Sequence, residues 1–108
     1  MIEKHYNYTD SITKTIEKII DDENINLNHM VLQKNECLPE HFSNSNVYLI
    51  VIHGTLTIRL AEQEAHKYPH HSFINVPYNI KMNISNTDDE ILEFFVVKSP
   101  NPKDYKKS

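Results

Sequence analysis

Histidines are the residues of this sequence best suited to chemistry, and seven of them are spread along the chain. A neutral imidazole ligates first-row metal ions, so several imidazoles converging with a carboxylate would form a metal centre. His66, His70 and His71 lie closest together in the sequence. Pro69 stands between them, however, and disfavours the helix that would bring His66 and His70 to one metal ion. We therefore expect these three histidines in a surface loop.

The remaining chemical groups form no known catalytic motif. The sequence has no Gly-rich phosphate loop, no Gly-x-Ser-x-Gly motif and no dinucleotide-binding motif. Cys37 is the single cysteine, which excludes an intramolecular disulfide and a cysteine-based zinc site. The sequence assigns no catalytic residue, and whether the protein is an enzyme stays open at this point.

Length, charge and hydropathy exclude several classes of protein. A chain of 108 residues, 39% hydrophobic and 24% charged, is typical of one globular domain. The net charge of -4 and the single arginine, Arg59, argue against a nucleic-acid partner. The longest apolar run, Val47 to Ile52, is far shorter than the roughly 20 residues of a membrane-spanning helix. Because no signal-peptide pattern is present either, we expect a cytoplasmic protein with no membrane partner.

The elements that would position any site are predicted to be short strands. Apolar and β-branched residues form segments bounded by Asn, Asp, Pro or Ser, which is typical of strands. The segments are 26–32, 47–52, 55–60, 72–76, 81–84 and 91–97. The Ile residues of 12–20 have helical spacing, but their β-branched neighbours favour a strand at Thr15–Ile20. The pattern predicts an all-β sandwich or barrel as one domain over 1–108, with irregular arms at about 1–10 and 101–108.

Turns in this chain must rely on residues other than glycine. Gly54 is the only glycine, whereas twelve Asn cluster between the apolar segments. Asn tolerates the left-handed backbone conformation, so we expect it to form many of the turns. His53-Gly54 separates two strands and predicts a tight hairpin, with Gly54 at a position that no other residue fits. In the second strand, Leu56 and Ile58 are predicted to face the interior and Arg59 the solvent.

Two blocks of the sequence resemble the two motifs of the cupin superfamily. In the first motif a turn Gly precedes His-x-His, a Glu and a final Gly. Here Asn35 stands at the first Gly, His41 at the first His, Ser43 at the second His, Val47 at the Glu and Gly54 at the final Gly. The resemblance runs from about residue 26 to residue 100, which is most of the chain.

The second motif joins two Gly, a Pro, a His and an Asn at fixed spacing. Pro77 and Asn86 match it, His71 and Asn79 replace the two glycines, and Met82 stands in place of the His. The resemblance implies the cupin double-stranded β-helix, a jelly-roll barrel. It also implies that these two motifs meet at the mouth of the barrel.

Of the four ligand positions of metal-binding cupins, only His41 keeps a ligand of the usual type. Ser43, Val47 and Met82 occupy the others, so we expect neither a metal nor another cofactor. The resemblance instead implies a mainly apolar pocket for a small organic ligand. We predict that His41, Ser43, Val47, Met82 and Tyr48 contact that ligand.

Three functions are therefore kept as hypotheses. The first is non-catalytic binding or sensing of a small molecule. The second is a metal-dependent enzyme of the dioxygenase or isomerase type, in which His41 acts with atypical ligands such as His53. The third is a structural module whose barrel is filled by its own side chains. Small cupins commonly form homodimers, and the adjacent Phe94 and Phe95 must face opposite sides of their strand, so one of them would be available outside the barrel.

Overall fold

The structure, a computed structural model, describes residues 1–104; the end of the predicted C-terminal arm, 105–108, lies outside the described residues. Strands dominate the described chain, as the composition of the apolar segments predicts. The strands are β1 (Thr15–Asp21), β2 (Asn26–Leu32), β3 (His41–Phe42), β4 (Val47–His53), β5 (Thr55–Leu60), β6 (His66–Pro69), β7 (Phe73–Val76), β8 (Lys81–Ser85) and β9 (Leu92–Lys98). The prediction of an all-β chain is confirmed.

The strands form two antiparallel sheets that enclose the core. The first sheet has the order β1-β2-β9-β4-β7, and the second has the order β3-β8-β5-β6. Alternate residues of each strand point between the sheets, where Leu32, Leu49, Leu56 and Phe94 are fully buried. This arrangement is the double-stranded β-helix that the sequence motifs imply.

The predicted strands are confirmed to within one or two residues at their ends. The N-terminal Ile-rich segment is β1, as favoured over a helix, and it pairs along its length with β2. Asp22 closes the turn between these strands by accepting hydrogen bonds from the backbone N–H groups of Asn24 and Ile25. Sequence reasoning missed β3, which has only two residues, and β6, whose residues His66–Pro69 lack an apolar alternation.

The three neighbouring histidines lie partly in β6 and not in a loop throughout. His66 begins β6 and pairs with Ile58 of β5, whereas His70 and His71 follow the strand. All three side chains are exposed, as expected. Pro69 fits into this strand because β6 is at the edge of its sheet, where a missing N–H breaks no ladder.

The predicted hairpin at His53-Gly54 is wrong. Although β4 and β5 are separated only by Gly54, β4 pairs with β7 and β9, and β5 pairs with β6 and β8. The chain therefore crosses from one sheet to the other at this glycine. A sequence signal for a tight turn does not distinguish a hairpin from such a corner, because both require the same left-handed residue.

Residues at the family's glycine positions keep a glycine-like backbone. Asn35, His71 and Asn79 have φ angles of 70°, 78° and 64°, and Gly54 itself has a φ of 78°. These angles lie in the left-handed region, which Asn and Gly populate more readily than most residues. The expectation that Asn replaces Gly in the turns is confirmed at Asn35 and Asn79.

The described part of the C-terminal arm is fastened to the first hairpin. Asn101 is buried, and its amide donates hydrogen bonds to Asp21 Oδ1 at 2.7 Å and to the carbonyl oxygen of Asp22 at 2.8 Å. These contacts stabilise the ionised carboxylate, so the amide of Asn101, together with a side-chain hydrogen bond from Asn26, lowers the pKa of Asp21. Residues Pro102–Asp104 then form one turn of 3-10 helix. Residues 1–104 contain no helix long and apolar enough to cross a membrane.

Candidate functional site

A cavity of about 70 Å³ that opens to solvent lies between the two sheets at one end of the barrel. Its walls are mainly apolar, and three polar side chains interrupt them. The lining residues are Asn28, Met30, Leu38, His41, Leu49, Met82, Ile84, Val96 and Lys98. Apolar walls with a few convergent polar groups are the usual make-up of a small-molecule site.

Strand alternation explains why the polar groups reach the cavity. On β2, Asn28 faces the same side as Met30, and on β9 Lys98 faces the same side as Val96. Asn28 and Val96 are direct partners in the β2–β9 ladder, so the inward ends of these two strands are adjacent. Polar residues at the last inward positions therefore gather at the open end of the barrel.

His41 lies at the mouth of the cavity on β3, opposite Met82 of β8. Its side chain is exposed, and its Nδ1 is 2.9 Å from the carbonyl oxygen of Pro39. A carbonyl oxygen only accepts, so Nδ1 carries a proton. Within residues 1–104 no group hydrogen-bonds Nε2. That nitrogen can accept a proton from a ligand when the ring is neutral and can donate one when it is charged.

Lys98 is a cavity-lining residue that sequence reasoning missed. It is half-buried in the cavity wall, and within the described chain its ammonium forms no ion pair. Burial among apolar side chains disfavours the charged form and lowers the pKa of Lys98 below its ordinary value. The alternation of β9 could have identified Lys98 as an inward-facing residue, because Phe94, Val96 and Lys98 share one face of the strand.

Only two of the five predicted ligand-contacting residues, His41 and Met82, line the cavity. The hydroxyl of Ser43 donates to the carbonyl oxygen of Pro77 at 2.6 Å and accepts from the N–H of Ile80 at 2.8 Å. Ser43 thus fastens the loop before β8, and both hydrogen-bonding directions of its hydroxyl are in use.

Val47 and Tyr48 lie outside the cavity lining for a different reason. Val47 faces inward and is fully buried in the core without lining the cavity, while Tyr48 points to the outer face of the sheet and is 44% exposed. The two are neighbours on one strand and so must face opposite sides. The inclusion of both in one site was inconsistent with the alternation of a strand.

The donor set does not fit the metal centre of metal-binding cupins. Residues 1–104 contain no group of three or more His, Cys, Asp or Glu side chains placed to hold one metal ion. His53 is exposed, and its Nδ1 is 2.7 Å from the carbonyl oxygen of Ile91. The cavity that His41 lines instead offers a thioether from Met82 and an amine from Lys98, which do not complete a nitrogen and carboxylate site.

A second polar cluster lies on the outer face of the five-stranded sheet. His29 is fully buried, with Nδ1 2.7 Å from Glu17 Oε1 and Nε2 2.6 Å from Glu93 Oε2. Glu17 stands opposite His29 in the β1–β2 ladder. The rings of Tyr8 and Phe95 cover the imidazole, with centroids 4.7 and 5.3 Å away. The Glu17–His29–Glu93 cluster therefore joins three strands beneath the N-terminal segment.

Glu17 also holds the N-terminal segment against the sheet. Its two carboxylate oxygens accept hydrogen bonds from the backbone N–H and the hydroxyl of Thr9, each at 2.8 Å. The N–H of Thr9, followed by the contact with His29, lowers the pKa of the Glu17 carboxyl. The cluster is separate from the cavity, because His29 and its carboxylates face the other side of β2 and β9.

Comparison with known proteins gives one strong match in sequence and in structure. The chain is 48% identical over 104 residues to the uncharacterized protein MJ0764 of Methanocaldococcus jannaschii, covering 95% of this chain and 90% of that protein. The crystal structure of MJ0764, described as an RmlC-like cupin family protein with a double-stranded β-helix fold, superposes with a TM-score of 0.92 over 95% of each chain. No protein-family profile matches the sequence.

More distant structures share the fold alone. A cupin superfamily protein of Desulfitobacterium hafniense superposes with a TM-score of 0.72 at 8% identity, covering 86% of this chain and 83% of that one. An uncharacterized double-stranded β-helix protein of Klebsiella pneumoniae superposes with a TM-score of 0.76 at 10% identity, covering 89% and 80%. At these identities the arrangement of strands is shared, and the residues of a site are not transferable.

Proposed function

The chain belongs to the RmlC-like cupin family, and from this premise we propose that it is a cytoplasmic, non-catalytic protein that binds or senses a small organic ligand in the cavity between its sheets. The observation that carries this proposal is Lys98, a half-buried amine that has no ion-pair partner within residues 1–104. Burying an unpaired polar group costs stability. A ligand that pairs with Lys98 would recover that cost.

The lining of the cavity indicates the chemical class of the ligand. Met30, Leu49 and Ile84 suit a short aliphatic body, while Lys98 suits an anionic group. Asn28 and His41 add hydrogen-bonding groups at the same cavity. We therefore propose a short-chain aliphatic carboxylate, with its carboxylate at Lys98 and its chain among the apolar side chains.

Pentanoate is expected to stabilise the protein more than pentanamide, which has the same shape without the charge. A ligand at 100 times its Kd adds about 2.7 kcal/mol to the free energy of unfolding, which raises the melting temperature by several degrees. Lys98→Met should abolish the preference for pentanoate over pentanamide. Differential scanning calorimetry with each compound measures the effect.

Lys81→Met is the matched control, because Lys81 is also a half-buried strand lysine but does not line the cavity. It should keep the preference for pentanoate. The proposed ligand class is wrong if pentanoate and pentanamide stabilise the native sequence equally. Binding in the cavity itself is contradicted if neither compound, at millimolar concentration, changes its melting temperature.

The proposal includes a homodimer formed through the outer face of β4 and β7. Tyr48, Ile52 and Phe73 are 44%, 36% and 75% exposed there, and Phe73 is the ladder partner of Ile50. Adjacent exposed apolar side chains on one sheet face are typical of a protein interface. Of the two adjacent phenylalanines, Phe95 faces outward, as expected of one of them. Tyr8 covers part of its ring.

Phe73→Lys combined with Tyr48→Lys is expected to convert a dimer to a monomer, since the substitutions place two charges on each apolar surface. Sedimentation equilibrium of both proteins gives their molar masses. Phe42→Lys is the control, because Phe42 is similarly exposed, at 56%, but belongs to the other sheet. A native sequence that sediments as a monomer would contradict the dimer.

A further inference from the structure

We propose that Lys98 Nζ captures small aliphatic aldehydes as an imine, so that the cavity binds carbonyl compounds by a reversible covalent bond. This inference rests on the proposed function, because the aldehyde must enter the cavity that is proposed to bind short aliphatic ligands. It goes beyond that function by assigning a nucleophile.

The surroundings of Lys98 distinguish it from other lysines of the chain. Lys18, Lys34 and Lys67 pair with aspartates at 3.4, 2.6 and 3.2 Å, and each is more than half exposed. The amine of each of these three lysines therefore already has a carboxylate partner. Lys98 has no such partner within residues 1–104 and lines the cavity together with Met30, Val96 and other apolar side chains.

Burial favours the neutral form of the Lys98 amine, which is the form that acts as a nucleophile. It lowers the pKa of the amine, so a larger fraction is neutral near pH 7 than for an exposed lysine. The same property underlies amine nucleophiles in apolar pockets in general, where desolvation disfavours the ammonium ion. The cavity is open to solvent, so an aldehyde has a route to the amine.

The reaction needs no oxidant and no cofactor. The nitrogen lone pair of Lys98 forms a bond to the carbonyl carbon, and the carbonyl oxygen takes up a proton to give a carbinolamine. The nitrogen then loses a proton, the C–O bond breaks, and one water molecule leaves as the C=N bond forms. The proton that the departing hydroxyl needs comes from water, which reaches the amine because the cavity is open to solvent.

The test is reductive trapping with butanal and sodium cyanoborohydride at pH 7, on the full chain. Reduction makes the imine permanent and adds one butyl group, which intact-mass spectrometry detects and peptide mapping locates. We expect Lys98 to be modified at least about ten times faster than Lys81, the matched half-buried lysine outside the cavity. In Lys98→Arg the fast modification should disappear while the modification of Lys81 is unchanged.

The outcomes separate this inference from the proposed function. Fast modification at Lys98 that is slowed by added pentanoate supports both. If pentanoate raises the melting temperature but Lys98 reacts no faster than Lys81, the imine is excluded and the binding function stands. If pentanoate does not bind and Lys98 reacts no faster than Lys81, both proposals fail. Fast modification of Lys98 that pentanoate does not slow supports the imine and contradicts the carboxylate ligand.

Discussion

Gly54→Ala is expected to destabilise the protein by about 3 kcal/mol or more, through the sum of backbone strain and steric overlap. A Cβ atom at this position would stand 2.3 Å from the carbonyl oxygen of Ile91 and 3.1 Å from Leu92 Cα, and the φ angle is 78°. The Ile91 carbonyl group cannot move away without weakening another contact, because its oxygen accepts the 2.7 Å hydrogen bond from His53. Urea unfolding monitored by circular dichroism measures the loss.

Asn35→Ala separates the backbone strain from the steric overlap. Asn35 has nearly the same φ, 70°, but its side chain is exposed. Its replacement should cost only the strain of a left-handed alanine, about 1 to 2 kcal/mol. Equal losses for Gly54→Ala and Asn35→Ala would show that the contact with Ile91 is relieved by a small shift of β9, and that the corner at Gly54 tolerates a side chain.

The fold could be predicted from local sequence because each strand carries its own signal. Segment 47–52 is continuously apolar and segment 55–60 alternates, and Asn46 and Gly54 precede them. Pairing is different, since it depends on contacts between segments far apart in sequence. No residue near His53-Gly54 indicates that β4 pairs with β9 and β7, so the sequence predicted a hairpin where the chain makes a corner.

The site could be predicted only where the motif positions coincide with the cavity. His41 and Met82 occupy such positions and line it, whereas Ser43 uses its hydroxyl to fasten a loop. Lys98 belongs to neither motif, and a lysine at the end of a strand usually extends into solvent. The cluster around His29 could not be predicted, because its partners, Glu17 and Glu93, are distant in sequence and meet it only when three strands pair.

His29→Leu is expected to lower the free energy of unfolding at pH 7 by about 3 kcal/mol, which is typical when one partner of a buried charged cluster is removed. Both ring nitrogens of His29 contact carboxylate oxygens, at 2.7 and 2.6 Å, and ionised carboxylates only accept hydrogen bonds. Each ring nitrogen that carries a proton therefore donates it to one of these carboxylates. Leucine would leave Glu17 and Glu93 facing each other with no group between them to balance their charge.

The pH dependence of this loss identifies its electrostatic part. The pKa of Glu17 is lowered in the folded protein, chiefly by the N–H of Thr9 and then by His29. The stability it contributes is therefore fully present above its ordinary value of 4.5 and is lost as pH falls through the lowered folded value. The difference between the native sequence and His29→Leu should accordingly shrink below pH 4.5, in urea unfolding experiments at a series of pH values.

A matched substitution distinguishes charge from packing in the same cluster. Tyr8→Leu removes the ring that covers His29 at 4.7 Å but leaves both carboxylate contacts in place. Its effect on stability should therefore be independent of pH between 4 and 7. A loss for His29→Leu that is equally independent of pH would mean that the imidazole acts as a space-filling side chain. The hydrogen bonds to Glu17 and Glu93 would then add no net stability, because the cost of desolvating the three groups would offset the attraction between them.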